Sequence, residues 1–182
     1  MKTMMKLFLA AAMLMPLFLQ AQSPLDKIYA KYVGNDKYVT VSFSKDMLQM
    51  FANMSDTKDT SSASLKRAAA RLTSLKLVSM DVDSLKPAPA QAFYNEVVAI
   101  FPPSIYEELM RVNNNGTNTF FLTKKDAKGQ ITELVMLEKG KRAMVSISIT
   151  GIIDLATVSK IAKTMDIKGM DELKNYNKPH KK

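Results

Sequence analysis

An α+β fold, with about five strands in a mostly antiparallel sheet and helices packed mainly on one face, is what the pattern of apolar residues predicts. Three observations carry this expectation. Residues 38–44 alternate cleanly, with Val39, Val41 and Phe43 on one side and Tyr38, Thr40 and Ser42 on the other, as a half-buried strand does. Residues 117–124, 130–138 and 142–150 are strand-like runs joined around Asp126-Ala127-Lys128-Gly129 and Lys139-Gly140, connections short enough to require antiparallel neighbours. Elsewhere apolar residues recur at three- and four-residue steps, the period of a helix with one buried stripe.

Along the chain, Ser44 is placed to cap a helix with Asp46 in its first turn and Met47, Met50, Phe51 and Met54 as its apolar face. Residues 55–62 hold no side chain worth burying and predict a mobile loop. Leu65, Ala68, Ala69 and Leu72 then share one face of a short second helix, and residues 75–82 form a strand. Pro87 and Pro89 suit the first turn of a helix that carries Phe93, Val97, Ile100 and Phe101 and is stopped by Pro102-Pro103. Ser104 and Glu107 have the spacing of a capping box, and Ile105, Leu109 and Val112 continue an apolar stripe, so a further helix is expected up to Asn113-Asn114-Asn115-Gly116. After the three-strand meander, Gly151 breaks the chain. Asp154 then caps a last helix facing the core through Leu155, Val158, Ile161, Ala162 and Met165.

The ends have a different character. Lys2 and Lys6 precede an apolar run over residues 7–19, broken only by Pro16, and the sequence turns polar at Gln20. This is the shape of a secretory signal, too short for a membrane-spanning helix, with cleavage expected after Ala21. The organisation expected is a signal peptide over 1–21, one α+β domain over 22–170, and a basic flexible tail over 171–182.

Charge and composition exclude more than the motifs suggest. The chain has 26 basic against 17 acidic side chains, a formal +9. Removing Lys2 and Lys6 with the leader and setting aside Lys174, Lys178, Lys181 and Lys182 of the tail leaves 20 against 17, or +3. No structured basic face for nucleic acid is expected from so even a balance. Cysteine is absent, which removes disulfides, thiolate metal sites and a lipid anchor on cysteine. The lone His180 lies three residues from the end, where little apolar sequence can orient an imidazole. Nine of the fourteen methionines remain once Met1, Met4, Met5, Met13 and Met15 are taken off with the leader, too few for a methionine-rich metal site. With six glycines and no Gly-x-Gly-x-x-Gly, Gly-x-x-x-x-Gly-Lys or Gly-x-Ser-x-Gly, neither a nucleotide cradle nor a serine elbow is visible, and no cofactor is expected.

Two places remain for a function. Residues 130–138 are apolar on both sides, with Ile131, Val135 and Leu137 opposite Leu134 and Met136, which predicts a central strand. If helices cover the side of Val145, Ile147 and Ile149, the other side would combine Phe121, Leu134, Met136 and Met144 with Thr40, Ser42, Ser146 and Ser148. Small hydroxyls around large apolar groups suit an apolar ligand, another protein or a second copy. Asp81 and Asp83, two apart near a strand end, are the second place: paired carboxylates divide acid and base roles or hold a hard cation, although strand termination is the commoner reason for such a pair. Asn115-Gly116-Thr117 matches the glycosylation pattern but reads better as a turn, and Asp83-Ser84-Leu85 matches a short acceptor pattern of exported proteins.

The segment Tyr106-Glu107-Glu108-Leu109-Met110-Arg111-Val112, the meander, and Ile147-Ser148-Ile149-Thr150-Gly151-Ile152-Ile153-Asp154-Leu155 together resemble the domain-of-unknown-function family 4252, small exported proteins of Bacteroidetes-type bacteria. The likeness spans roughly residues 25–165 and implies location and architecture without an activity. Within the expected helix, Arg111 would pair with Glu107 and Glu108. The functional expectation is an exported, non-enzymatic binding or interaction module of the cell envelope, periplasmic or extracellular. A self-associating envelope component and a carboxylate-dependent hydrolase using Asp81 and Asp83 are the alternatives.

Overall fold

The computed structural model describes residues 23–54 and 66–155. The expected leader (1–21), the loop over 55–62, the greater part of the last helix and the tail over 171–182 lie outside the described residues.

Helix α1 (Leu25–Tyr32), the first element among the described residues, is not expected from the sequence. It is eight residues long and buries only Leu25 and Ile28, so its periodic signal spans a single step of three. Strand β1 (Tyr38–Ser44) follows, and Ser44 ends it by accepting the N–H of Met47 on its hydroxyl (3.3 Å), which opens α2 (Lys45–Met54). The predicted apolar face of α2 is rotated from the real one. Leu48 lies in the core, whereas Met47, Met50 and Phe51 stay exposed at 39%, 52% and 45%. Residues 66–69 are helical as expected, and Leu72, read as part of that helix, instead begins β2 (Leu72–Asp81).

Helix α3 (Ala88–Ala99) starts behind Pro87 and buries Ala90, Phe93 and Val97, and Phe101 continues its apolar side past the end of the helix. The helix expected after Ser104 does not form. Residues 102–106 make a turn in which Ile105 and Tyr106 donate to the carbonyl of Pro102 (both 3.0 Å), and β3 (Glu107–Asn114) runs extended from there. The remaining strands are β4 (Thr117–Lys125), β5 (Ile131–Lys139) and β6 (Ala143–Gly151).

Among the described residues six strands rather than five therefore pair, all antiparallel, in the order β1-β2-β6-β5-β4-β3. Strand β5 is central as its two-sided apolar character requires, with five consecutive buried residues from Glu133 to Leu137. The register decides which residues share a face. Val41, Leu77, Ile147, Met136 and Phe121 form one row across the sheet, and Thr40, Val78, Ser146 and Leu137 form another on the opposite side.

Both faces are covered, which corrects the expectation of helices mainly on one. On the first, Leu48 of α2 packs with Leu72, Leu75, Ile147, Ile149, Leu134, Met136 and Phe121, joined by Ile153 and Leu155 where the described chain ends. On the second, Leu25 and Ile28 of α1 and Phe93 and Val97 of α3 pack on Val78, Met144, Val135 and Leu137. Tyr32 stacks on Tyr38 at 4.0 Å, and both meet the edge of Phe93, so one aromatic group ties α1, β1 and α3 together. Beside it, Lys31 binds Glu96 at 2.6 Å; this hydrogen bond holds the Glu96 carboxyl below its usual range and raises the Lys31 ammonium.

Candidate functional site

The eight residues expected to share one face do not. Phe121, Leu134 and Met136 lie with Ile147 and Ile149 on the side covered by α2, whereas Thr40, Ser42, Met144, Ser146 and Ser148 lie on the side of α1 and α3. Six of them are buried, from 0% exposed at Phe121 to 5% at Met144; Thr40 is half-buried and Ser42 exposed on the edge strand. The physical reason is the pleat. Alternation within one strand identifies its two sides, but which side joins which side of a neighbour is set by register.

Asp81 ends β2, paired opposite Ala143, and Asp83 follows in the connection to α3. The Asp83 carboxylate accepts the N–H of Leu85 (2.9 Å) while its carbonyl accepts that of Lys86 (3.0 Å), a turn closed by its own side chain. Among the described residues no three metal-ligating side chains come together. Arg111 does bind Glu108 (2.7 Å), but along an extended strand, while Glu107 is held by Lys125.

What the fold does bring together is a group that the sequence reading leaves aside. Glu133 is 3% exposed and points to the α1 side of β5. Its Oε1 accepts the hydroxyls of Ser23 (2.5 Å) and Ser148 (2.7 Å), and its Oε2 accepts the phenol of Tyr106 (2.7 Å). Ser23 also receives the N–H of Leu25 (3.2 Å), so the start of α1 is fastened to the middle of the sheet. Burial, and then the bond to Glu133, pushes the Tyr106 phenol well above the usual tyrosine range. A lone glutamate within Ile131-Thr132-Glu133-Leu134-Val135-Met136-Leu137 is the signal that marks it in the sequence, because an acid in a central strand needs partners.

Glu133 forms one wall of a cleft of about 860 Å³ at the end of the sheet where β2 and β5 begin and β4 and β6 finish. Among the described residues four cationic side chains line it, Lys45, Arg71, Lys76 and Lys124, against two acids, Asp26 and Glu133. Asp26 is engaged by Lys76 at 2.6 Å, and Glu133 by its three hydroxyls. No carboxylate among the described residues is bound by Lys45, Arg71 or Lys124. The floor is hydroxylic: Thr150 meets Thr73 at 2.8 Å and Ser74 at 3.0 Å. Gly151 completes it at φ +134°, its backbone so close to Arg71 and Leu72 that no side chain fits.

The model of the family described as a domain of unknown function (DUF4252) matches residues 30–161. The chain belongs to that family. The match begins within α1 and takes in all six strands, Glu133, Ser148 and Tyr106, while Ser23 precedes it. No curated protein and no solved structure matches the chain significantly. As a member of DUF4252 it inherits no described activity, so its chemistry must be read from its own residues. No helix among the described residues is long and apolar enough to cross a membrane.

Proposed function

We propose that this member of DUF4252 is an exported, non-enzymatic binding protein of the cell envelope whose ligand is a small anion carrying phosphate or carboxylate groups. One observation carries the reading: the cleft presents Lys45, Arg71 and Lys124 without an ion-paired carboxylate among the described residues, above a floor of threonine and serine hydroxyls. Cations offer charge and directed N–H donors, and hydroxyls adapt as donors to anionic oxygens, so together they suit an oxyanion rather than the apolar ligand expected of the sheet face. The export half of the reading is supported by the basic start and apolar run over residues 1–19.

The non-enzymatic half draws support from Glu133. Its oxygens are occupied by hydroxyls that fasten α1 and Tyr106, which is the work of a structural carboxyl group rather than of a general base waiting for substrate. Calorimetric titration with inorganic phosphate, citrate and a hexuronic acid tests the reading. Binding that weakens with added salt and falls roughly ten- to a hundredfold in Lys124→Ala, one charge-assisted contact being worth roughly 1.5–3 kcal/mol, is the expected result. Absence of heat with all three at millimolar concentration refutes it.

A further inference from the structure

The two edges of the sheet are built differently. At one edge β3 carries Glu107, Glu108 and Arg111, has a bulge between Glu108 and Met110, and is laced by the Glu108–Arg111 and Glu107–Lys125 ion pairs. Charges and bulges of this kind are how an edge strand is kept from pairing with another chain. At the other edge β1 reads Tyr-Val-Thr-Val-Ser-Phe-Ser, with no charge, no proline and an unbroken seven-residue register to β2. Among the described residues no strand lies on its outer side. Val39 on this edge is 58% exposed, and the exposed Met47, Met50 and Phe51 follow on α2, where Phe51 meets Phe43 edge-on.

We infer that β1 is the interface with a second copy of this chain, the two β1 strands pairing antiparallel about a twofold axis through Val41 to make one continuous twelve-stranded sheet. The occupant follows from the self-complementarity of the strand. In that register Val41 faces its own copy, Val39 faces Phe43, Thr40 faces Ser42 and Tyr38 faces Ser44. Apolar side chains then meet apolar ones on the α2 side of the sheet, hydroxyls meet hydroxyls on the α1 side, and no like charges are opposed. An unrelated extended peptide would gain the same backbone hydrogen bonds but would match neither row by necessity.

The absence of cysteine makes the register directly testable. In the mature chain, Gln22 to Lys182, a single Val41→Cys places the only thiol on the twofold axis, and mild oxidation should convert most of the protein to a disulfide-linked dimer. Val39→Cys is about 13 Å from its own copy in this register, beyond reach of a disulfide, and should stay monomeric under the same oxidation. It should cross-link only when mixed with Phe43→Cys. Sedimentation of the unmutated chain is the independent measurement, with a monomer–dimer equilibrium expected in the micromolar range. An unmutated chain that stays monomeric to millimolar concentration overturns the inference, as does cross-linking of Val39→Cys as extensive as that of Val41→Cys.

Discussion

Ser146 and Ser148 sit two residues apart on β6, on the same face and equally buried at 1% exposed, and they do opposite things. The Ser148 hydroxyl donates to Glu133, whereas that of Ser146 finds no partner among the described residues. An unmade bond on a buried hydroxyl costs its desolvation, and a bond to a carboxyl group is worth roughly 1.5–3 kcal/mol. Ser148→Ala should therefore destabilise the fold by about 2 kcal/mol, and Ser146→Ala should leave it unchanged or up to about 1 kcal/mol more stable, as read from urea midpoints. Equal losses from the two would mean that Glu133 does not depend on Ser148. Both serines are visible in the sequence as members of one alternating row. Which of them meets an acid depends on Glu133, which lies one strand away.

Glycines decide two of the connections between elements, and they differ in what surrounds them. Asn115 and Gly116, at φ +48° and +79°, form the two-residue turn between β3 and β4. Both residues at positive φ make the tight hairpin that Asn-Gly favours. That same dipeptide was a fair helix terminator after Ile105, Leu109 and Val112, and the spacing of those three residues fits a helix as well as it does a bulged strand. The local sequence did not choose between the two readings; pairing of β3 with β4 did. Gly151, at φ +134°, would drive a Cβ against the backbone of Arg71 and Leu72, whereas a Cβ on Gly116 would meet only the end of the Lys141 side chain, which can move. Gly151→Ala should cost at least about 3 kcal/mol and Gly116→Ala about 1 kcal/mol in thermal or urea unfolding. A Gly151→Ala protein as stable as the parent would contradict the close approach of β6 to the start of β2.

At the scale of the molecule, the sheet is held to its helices by aromatic groups whose titration sets an alkaline limit. Burial, and then the bond to Glu96, pushes the Tyr32 phenol up to about 12, and Tyr106 lies higher still for the corresponding reasons. In the unfolded chain these phenols lose their protons near pH 10, so above that value the unfolded state binds fewer protons than the folded one. Stability contributed by the two groups is complete below about pH 10 and declines as the pH rises towards 12. Urea midpoints measured from about pH 8 to 11 should fall, and the fall should be shallower in Tyr106→Phe; an unchanged slope would place Tyr106 outside the packed interior. The α+β class, the meander, the central position of β5, the proline-led α3 and the family were all legible in the sequence, because each rests on local periodicity, turn chemistry or a short order of motifs. Tertiary structure alone decided that residues 107–114 are a sixth strand, that α1 exists, that the eight residues of the expected face divide between two buried faces, and that Glu133 lies beside a cationic cleft. Those outcomes depend on register and on contacts across the sheet, between Ser23 and Glu133 or Lys76 and Asp26, and no spacing along one strand encodes which residue of a distant segment will lie opposite it.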